Sequence, residues 1–533
     1  MTSVAPSQTP EQNTTLRGLP LFFATIALSL ATFMFVLDYT VCNVAIPYIS
    51  GGLAAGIEEG TYVLTFFSVG NAVFIPLTGW LSSRFGIINT LVMAVVLFTF
   101  FSFMCGIAPS LFALVVYRFF QGAAAGPLVP LSQTILTKIY PREELTGVMT
   151  LFSMILLVAP VLGPVVGGYF CIYSDWRWIF FINVPIGIFS AIVIWATLKY
   201  LDRDLEGGNV DYISFFLLLV GMTSLQLFLD KGEQWDWLAS HRIQICLGLT
   251  IVTLTYLVAW SFIHPKPLLK LRLFGINKAF TLSCILIATM YSLYMGTVVI
   301  VPLWLQQYQG YDALWAGIAV APIGIGSVVM APITGRLIPK IGRMIPIITG
   351  IIVMALASLY ARNYYSDYSL YQVAMSRFVL GLGVGCWVVP IVSMPAAALK
   401  SENMSAGLGI FHFIRVISGA IGISVFTTMF HRRIIHQYFN LISVFNPYNP
   451  QTTRYMTQIK GQGLFGDQAN ALANMLLDQQ AAAIAFNEVA QFMFWMCIAM
   501  LILSFFAIRW EKEVIEEHAL EESQPENCSK CSE

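Results

Sequence analysis

The chain has 533 residues, of which 57% are hydrophobic and 11% are charged, and its mean hydropathy is +0.75. This composition excludes an ordinary soluble domain and indicates an integral membrane protein. The formal net charge is zero and the pI is near 7.0, so the charge balance gives no reason to expect nucleic acid as a partner.

Apolar runs of about 20 residues recur along the chain, and each is long enough to cross the hydrocarbon core of a bilayer. They predict about fourteen spans, numbered in chain order at 21–49, 61–82, 88–107, 111–136, 147–171, 178–199, 211–229, 243–263, 279–304, 313–337, 345–361, 371–398, 404–430 and 489–509. A polar segment precedes the first run, and no small-residue cleavage site follows it, which favours a retained span over a signal peptide. The predicted fold class is all-α and integral to the membrane.

Basic residues in the short loops predict the orientation, because cytoplasmic loops carry an excess of Lys and Arg. The loops after even-numbered spans hold Arg84, Lys138, Arg142, Lys199, Arg203, Lys266, Lys270, Arg272, Lys278, Arg336, Lys340, Arg343 and Lys400. The opposite short loops hold only Arg177, Lys231, Arg242 and Arg362, although Arg432 and Arg433 open a long segment on that side. Both termini are therefore predicted to lie in the cytoplasm.

A weak internal repeat relates the two ends of the chain. The sequence Gly-Trp-Leu-Ser-Ser-Arg-Phe-Gly at 79–86 closes span 2, and Gly-Arg-Leu-Ile-Pro-Lys-Ile-Gly at 335–342 closes span 10. Arg-Phe-Phe-Gln-Gly at 118–122 in span 4 is similarly matched by Arg-Phe-Val-Leu-Gly at 377–381 in span 12. Repeated halves are typical of secondary transporters, whose substrate path runs between them.

The repeat predicts a division of the chain into two halves and an inserted pair of spans. The expected parts are a cytoplasmic tail at 1–20, a six-span half at 21–199, two additional spans with their loops at 200–270, a second six-span half at 271–510 and a cytoplasmic tail at 511–533. A long extracytoplasmic loop at 431–488 belongs to the second half. The tail from 511 onward is rich in Glu and Ser and is predicted to be disordered.

Span 5 concentrates Gly and Pro inside an apolar helix: Pro160, Gly163, Pro164, Gly167 and Gly168. Pro removes a backbone donor and bends a helix, while Gly residues four apart leave a groove that a neighbouring backbone can approach. The pattern predicts a helix that pivots, and a static, tightly packed helix pair is the alternative. A bulky residue at Gly163 or Gly167 is expected to hold the two halves apart.

Asp38 lies within span 1, where an ionised carboxylate costs several kcal/mol unless it is paired or hydrated. Three roles are open to it: a proton carrier, a counter-charge for cationic substrates, or a structural carboxylate that caps or pairs near a helix end. Arg118 in span 4 cannot release its own proton at any relevant pH. Its expected role is electrostatic, either beside a carboxylate or as an anchor for span 4 in a hydrated cavity.

Further polar and aromatic residues within spans are candidates for the substrate cavity: Asn43, Gln133, His412, Arg415 and Trp387. An intramembrane amide either makes a helix-to-helix hydrogen bond or contacts substrate. His412 has a side chain that titrates near neutrality, or it is simply hydrogen-bonded. Aromatic side chains in a cavity suit flat, apolar or cationic compounds, whereas others form belts at the membrane interfaces.

The remaining motifs argue against an enzyme. Most of the nine cysteines lie within spans, and Cys528 with Cys531 supplies only half of a zinc site in a polar tail. The sequence has no phosphate-binding glycine loop, metal-ligand cluster or nucleophile elbow. No catalytic residues, cofactor or metal site are predicted, and direct use of ATP is not expected.

Several segments together resemble a known family: 37–47 (Leu-Asp-Tyr-Thr-Val-Cys-Asn-Val-Ala-Ile-Pro), 118–126 (Arg-Phe-Phe-Gln-Gly-Ala-Ala-Ala-Gly), 163–168 (Gly-Pro-Val-Val-Gly-Gly), 176–187 and 302–310. The chain resembles the EmrB/QacA-like group of fourteen-span drug:proton antiporters in the major facilitator superfamily, over nearly all of 20–510. The resemblance implies a 6 + 2 + 6 helical fold and proton-driven export of small amphipathic or toxic compounds by alternating access. It implies a location in the inner (plasma) membrane.

The same resemblance implies roles for particular residues. Asp38 and Arg118 are expected to couple transport to protons, and Arg84 with the span 5 residues Gly163, Pro164, Gly167 and Gly168 is expected to serve the conformational change. One departure stands out in the loop after span 2. The family normally has an Asp at the position of Ser83, which clamps the cytoplasmic gate, so this gate is expected to be held differently or more loosely.

The segment 431–488 is long for a connection between two spans. Its stretch 471–485 is rich in Ala, Leu and Gln and is helix-forming by composition. It is either a poorly ordered loop or a docking element for a periplasmic adaptor, the partner that the resemblance implies together with an outer-membrane channel.

Two alternatives to multidrug export remain. The first is an exporter dedicated to one metabolite, such as a siderophore or a fatty acid. The second is a membrane sensor or assembly factor that does not transport, which would explain the hydrophobicity but not the combination of Asp38, Arg118 and the span 5 glycines.

Overall fold

The computed structural model describes residues 16–523 with gaps at 142, 202–210, 266, 365–368, 400, 447, 462 and 464. Within these residues every regular element is a helix, as predicted. Some predicted features lie outside the described residues: the tail up to residue 15, the loop cations Arg142, Arg203, Lys266 and Lys400, and the pair Cys528 and Cys531.

The predicted number of spans is confirmed. Thirteen helices of the described chain are long and apolar enough to cross a membrane, and a pair bent by 58° brings the number to 14. Spans 1 to 14 comprise Leu19–Gly52, Tyr62–Phe74 with Thr78–Phe85, Ile87–Gly106, Leu111–Ala125 with Leu128–Ile139, Leu145–Tyr173, Trp178–Phe181 with Asn183–Leu198, Tyr212–Lys231, His241–Ile263, Lys278–Gln307, Ala313–Val320 with Pro322–Ile341, Met344–Ala361, Leu370–Ala398, Met404–Val444 and Asp467–Ser523.

Shorter helical segments connect these spans. They are the α-helices Ile57–Gly60, Leu273–Ile276 and Pro450–Gly461 and the 3-10 turns Lys199–Leu201, Trp237–Ala239 and Ser401–Asn403. The bend in span 2 falls at Pro76, between its two helical pieces. Pro has no backbone N–H and clashes with the preceding turn, which accounts for the break.

The sequence repeat corresponds to a repeated helix crossing. Spans 2 and 4 approach backbone to backbone because Gly70 faces the Phe119 carbonyl and Gly122 faces the Phe67 carbonyl. Spans 10 and 12 repeat this reciprocal contact through Gly326 with Phe378 and Gly381 with Ile323. A Cβ at any of these glycines would overlap backbone atoms of the partner span, so the close crossing requires glycine.

The same correspondence holds where the repeated loop motifs end. Gly86 terminates span 2 with φ of 90°, and Gly342 terminates span 10 with φ of 79°. Residues with a side chain rarely adopt this left-handed region, so both motif copies use their last glycine for the same turn.

Span 5 packs against both halves, with different residues facing each. Gly163 faces Thr40, and a Cβ at Gly167 would lie 2.9 Å from the Val41 carbonyl oxygen, so both face span 1 of their own half. Gly168 faces the second half, since a Cβ there would lie 3.1 Å from Cα of Leu314 in span 10. The expectation that bulky residues at Gly163 or Gly167 would wedge the halves apart is therefore wrong.

Contacts between spans 5 and 10 run along their whole length. Added Cβ atoms at Gly317 and Gly324 of span 10 would lie 3.0 Å from the Pro164 carbonyl carbon and 3.2 Å from Val161 Cγ1. Gly335, near the other end of span 10, faces Thr150. Small residues from both spans thus form the main long seam between the halves.

Segment 431–488, which the sequence predicted as a loop between the spans at 404–430 and 489–509, is largely helical. Span 13 continues to Val444 and span 14 already begins at Asp467, so the helix predicted at 471–485 is present as part of span 14. At 1.5 Å per residue, the 41 residues of span 13 extend about 60 Å, roughly twice the thickness of a bilayer core. Both helices therefore project beyond the membrane.

The projecting part is held together by its own contacts. Arg433 pairs with Glu488 at 3.4 Å, and Gln437 donates to the same carboxylate at 2.6 Å. Beyond them, Ile459, Ala469 and Ala473 form a small separate core. This helical hairpin, residues 431–488, is a folded element.

The described part of the second tail corrects another expectation. Residues 511–523, predicted to be disordered, continue the helix of span 14 to Ser523. The Glu, Lys, Ala and Leu residues of this stretch all have high helix propensity, which offsets the polar composition on which the expectation of disorder rested.

The seam contact at Gly168 gives a stability prediction. Gly168→Leu should destabilise the folded protein by about 1–3 kcal/mol, because overpacking forces span 10 away from span 5. Gly147→Leu is the matched control in the same helix, since an added Cβ there meets nothing within 4 Å. Thermal unfolding of the purified protein followed by size-exclusion chromatography measures both. Equal melting temperatures for the two variants would contradict a tight seam at this position.

Candidate functional site

Asp38 and Arg118 form a buried ion pair inside the first half. Arg118 Nη1 lies 2.5 Å from Asp38 Oδ2, and the side chains of Arg118 and Asp38 are 0% and 1% exposed. The other carboxylate oxygen, Oδ1, accepts from Asn183 Nδ2 at 2.8 Å and from Gln121 Nε2 at 3.2 Å. Spans 1, 4 and 6 therefore meet at a single carboxylate.

Further contacts fix the two partners. Arg118 Nη1 also donates to Gln121 Oε1 at 2.9 Å, and the guanidinium lies 4.0 Å from the centre of the Phe67 ring. Asn183 donates to Ser102 Oγ at 3.0 Å, which adds span 3 to the cluster. Arg118 Nη2 and Asn183 Oδ1 have no hydrogen-bond partner among the described residues. Most polar atoms of the cluster are thus hydrogen-bonded, and one donor atom and one acceptor atom are left without a partner.

The physical reason for this arrangement is the cost of a buried charge. An unpaired carboxylate or guanidinium in a low-dielectric interior is strongly unfavourable, and a pair is tolerated only when its remaining polar atoms are also satisfied. Asp38 satisfies that condition through Arg118, Asn183 and Gln121. The sequence identified Asp38 and Arg118 as candidates, and the structure adds Asn183 and Gln121.

A comparable position in the second half lacks the carboxylate. Arg377, 2% exposed, occupies the matching place in span 12 and lines a small cavity with Thr297, Ser358 and Phe486. Its Nε donates to Ser376 Oγ at 3.2 Å, and it forms no ion pair with any residue of the described chain. The two halves are alike in their helix crossings and differ in this charge.

The ion pair lies next to the helix that joins the halves. Two residues beyond Asp38, Thr40 packs against Gly163 of span 5, and its hydroxyl lies 3.5 Å from the Ala159 carbonyl. The opposite face of span 5 carries Gly168, which packs on span 10. Contacts through span 5 therefore connect span 1 near Asp38 with the seam.

A second set of contacts closes one end of the boundary between the halves. Gln133 of span 4 accepts a hydrogen bond at Oε1 from His412 Nε2 of span 13, at 2.7 Å. Its Nε2 donates to the Val392 carbonyl of span 12 at 3.0 Å. Gln133 and His412 are both fully buried, so these candidates for the substrate cavity form a polar link between the halves.

The loop motif after span 2 lies at the same end. Gly79 packs on Ala406 of span 13, where an added Cβ would lie 2.9 Å from the Ala406 Cβ. Ser83 Oγ donates to the Trp80 carbonyl of its own helix at 2.9 Å, and Arg84 is exposed. Neither side chain bridges to the second half among the described residues, so closure here depends on close packing and on Gln133.

The other predicted cavity residues do not join the link between Gln133 and His412. Asn43 is exposed in span 1. Arg415 is 3% exposed, donates from Nη1 to the Tyr291 hydroxyl at 3.2 Å and lies 5.0 Å from the centre of that ring. Trp387 is fully buried, and its Nε1 lies 3.1 Å from Met354 Sδ inside the second half.

Two helical halves of related packing, a buried ion pair in one of them and a seam of small residues between them define a multi-pass membrane transporter. The Major Facilitator Superfamily model matches residues 28–423. The chain is 37% identical to multidrug export protein EmrB of Escherichia coli (strain K12), over 92% of this chain and 96% of that protein. The chain belongs to the Major Facilitator Superfamily.

The chain is also similar to two further proteins, one by sequence and one by fold. The chain is 37% identical to the fatty acid resistance protein FarB of Neisseria gonorrhoeae, over 89% of this chain and 93% of that protein. The structure of the human organic anion transporter MFSD10 (TETRAN) aligns with a TM-score of 0.56 at 12% identity and covers 90% of this chain and 100% of that chain. The latter likeness shows a common fold.

The buried pair gives a prediction about stability. Asp38→Asn and Arg118→Met should each lower the melting temperature strongly, because either change leaves one buried charge without its partner, at a cost of about 3–5 kcal/mol. The double variant should lose less stability than the sum of the losses in the two single variants. Asp175→Asn, in the exposed pair with Arg177, should have little effect.

Thermal unfolding of the four purified variants in detergent measures these effects. Strictly additive losses in the double variant would contradict direct coupling between Asp38 and Arg118.

Proposed function

We propose that this protein exports small amphipathic or toxic compounds in exchange for protons, by alternating access between its halves. The observation that supports the proton step is the buried Asp38–Arg118 pair, together with its contact through Thr40 to span 5. The relation to a multidrug export protein over nearly the whole chain supports the substrate class.

In this mechanism Asp38 is the proton-binding group and Arg118 is its electrostatic partner. Arg118 remains charged in every step. When Asp38 gains a proton, its attraction to Arg118 falls and the hydrogen bonds from Asn183 and Gln121 must be rearranged. Span 1 is then free to shift against Gly163 and Gly167 of span 5, and span 5 against span 10.

The link from Gln133 to His412 and Val392 serves as the gate at the end where spans 2, 4, 12 and 13 meet. Each buried hydrogen bond of this kind contributes about 0.5–1.5 kcal/mol, so the link is strong enough to bias the conformation and weak enough to open. It takes the place of the Asp clamp that is lacking at Ser83. Arg84, exposed beside it, is available to water and lipid headgroups.

We place this gate on the cytoplasmic side of an inner (plasma) membrane, with both termini in the cytoplasm. The excess of basic residues in the loops after even-numbered spans supports that orientation. The helical hairpin 431–488 then projects on the opposite side. Its exposed apolar side chains include Phe439 at 65%, Val444 at 59% and Phe465 at 65%, and they suit contact with a periplasmic adaptor that leads to an outer-membrane channel.

A dedicated exporter remains a second candidate, because the fatty acid resistance protein FarB is as similar to this chain as the multidrug export protein. A growth-inhibition panel in an efflux-deficient host separates the two. Protection against several unrelated drugs supports multidrug export, and protection against long-chain fatty acids alone supports the second candidate.

The coupling role of Asp38 gives a transport prediction. Asp38→Asn should abolish uphill export driven by a pH gradient in reconstituted vesicles, because Asn cannot carry a proton. The variant should still insert into the membrane and bind neutral ligands. Asp175→Asn, on an exposed loop, is the control. Proton-driven uphill export at the wild-type rate in Asp38→Asn would remove Asp38 from the mechanism.

The hairpin gives a prediction about the partner. Replacing residues 445–466 by a short Gly/Ser linker removes its tip and leaves span 13 and span 14 intact. Proton-coupled transport in vesicles should be unaffected, whereas resistance should fall in cells whose resistance requires the adaptor. Full resistance in such a host would show that the tip is not needed for docking.

A further inference from the structure

The cavity beside Arg377 is built from the same helices of the second half as the Asp38–Arg118 cluster is of the first. The repeat pairs span 2 with span 10 and span 4 with span 12, so by the same offset spans 1, 3 and 6 correspond to spans 9, 11 and 14. Hydrogen bonds of the cluster join spans 1, 3, 4 and 6, and the cavity is lined by spans 9, 11, 12 and 14. Ser358, in the cavity wall, lies as many residues after the glycine that ends span 10 as Ser102 lies after the glycine that ends span 2.

The second half keeps the cation of this site and lacks the groups that neutralise it. In the repeated motif, Arg377 stands at the position of Arg118, whereas Leu380 replaces Gln121. None of the described residues that line the cavity carries a carboxylate, and each of them is at most 7% exposed. The guanidinium of Arg377 is therefore enclosed in a low-dielectric interior without a counter-charge from the described chain.

Most hydrogen-bond donors of this guanidinium are unused. Arg377 Nε donates to Ser376 Oγ at 3.2 Å, but Nη1 and Nη2, which carry four of the five N–H donors of an arginine, form no hydrogen bond with a described residue. The carboxylate next to the cavity wall in sequence, Glu488, is held by Arg433 at 3.4 Å and by Gln437 at 2.6 Å instead. The cavity thus offers donors and positive charge to a ligand.

The size and the walls of the cavity restrict that ligand. The volume open to the centre of a water-sized sphere is about 10 Å³, close to what a single water molecule needs, so a drug or a multi-atom oxyanion does not fit. The hydroxyls of Thr297 and Ser358 already donate to the carbonyls of Leu293 and Met354, each at 2.9 Å. The other lining residues, apart from Arg377, are apolar. A monatomic anion matches this combination.

We propose that the cavity binds one chloride ion, held by the Nη groups of Arg377. Arginine does not lose its proton in a protein, so burial of this residue requires a counter-charge, and the described chain supplies none. Chloride does not titrate in the physiological range, so the second half stays neutral while the carboxylate in the first half gains and loses a proton. The inference goes beyond the proposed export function and does not depend on it.

The test is binding of radioactive chloride to the purified full chain in detergent by equilibrium dialysis, with gluconate as the background anion because it is too large for the cavity. The wild-type protein should bind one chloride per chain, saturably. Arg377→Gln should weaken binding at least about tenfold. Arg362→Gln is the matched control, because Arg362 is an exposed cation at the end of span 11, and it should bind chloride like the wild-type protein.

A second variant keeps Arg377 and removes the need for the ion. Thr297→Asp places a carboxylate in the cavity from span 9, the counterpart of the span that carries Asp38, and should abolish chloride binding. Thr297→Asn, of similar size and uncharged, should still bind chloride. Replacing gluconate by chloride at constant ionic strength should raise the melting temperature of the wild-type protein by about 1–3 °C and leave Thr297→Asp unchanged.

Four results would each overturn the chloride site. They are no saturable binding by the wild-type protein, which would leave water as the occupant, wild-type binding by Arg377→Gln, wild-type binding by Thr297→Asp, and equal losses in Arg377→Gln and Arg362→Gln. If Arg377→Gln does not fold, the pair Thr297→Asp and Thr297→Asn decides. Export assays in vesicles are independent of this outcome, so loss of the proposed export function would leave the chloride site standing.

Discussion

A charge buried among apolar helices must be neutralised, and this constraint organises the first half of the protein. Asp38 lies in span 1 at 1% exposure, and Arg118 in span 4 compensates it at 2.5 Å. Two unrelated positions, Asn183 and Gln121, then satisfy the second carboxylate oxygen. Because five of the six helices of this half contribute to the cluster, a change in its protonation would alter the packing of these helices.

Glycine determines how that change is transmitted. Within each half, reciprocal glycines bring spans 2 and 4, and spans 10 and 12, to backbone contact, which makes each half a stiff unit. Between the halves, span 5 presents Gly168 to span 10 and presents Gly163 to span 1 on another face. A stiff unit next to a smooth seam moves as a body, which is the motion that alternating access requires.

Hydropathy alone predicted the helical fold, because a helix that crosses lipid must be apolar for about 20 residues. Asp38 and Arg118 were also identifiable, since charged residues are rare within spans. The partners of Gly163 and Gly167 were not, because four-residue spacing places residues on one face without saying which neighbour that face meets. The bond between Gln133 and His412 joins residues 279 positions apart, and no local pattern encodes it. The helix content of the projecting hairpin was underestimated, because hydropathy detects only the apolar part of a helix that continues beyond the bilayer.

The enclosure of Asp38 suits a proton better than a bulky ligand. Asp38 is 1% exposed and paired with Arg118, so a bulky ligand has no access to it, whereas a proton needs only a chain of hydrogen bonds. In the proposed mechanism, substrate and proton are therefore linked through the movement of the helices, and substrates without a positive charge can be exported by the same proton step.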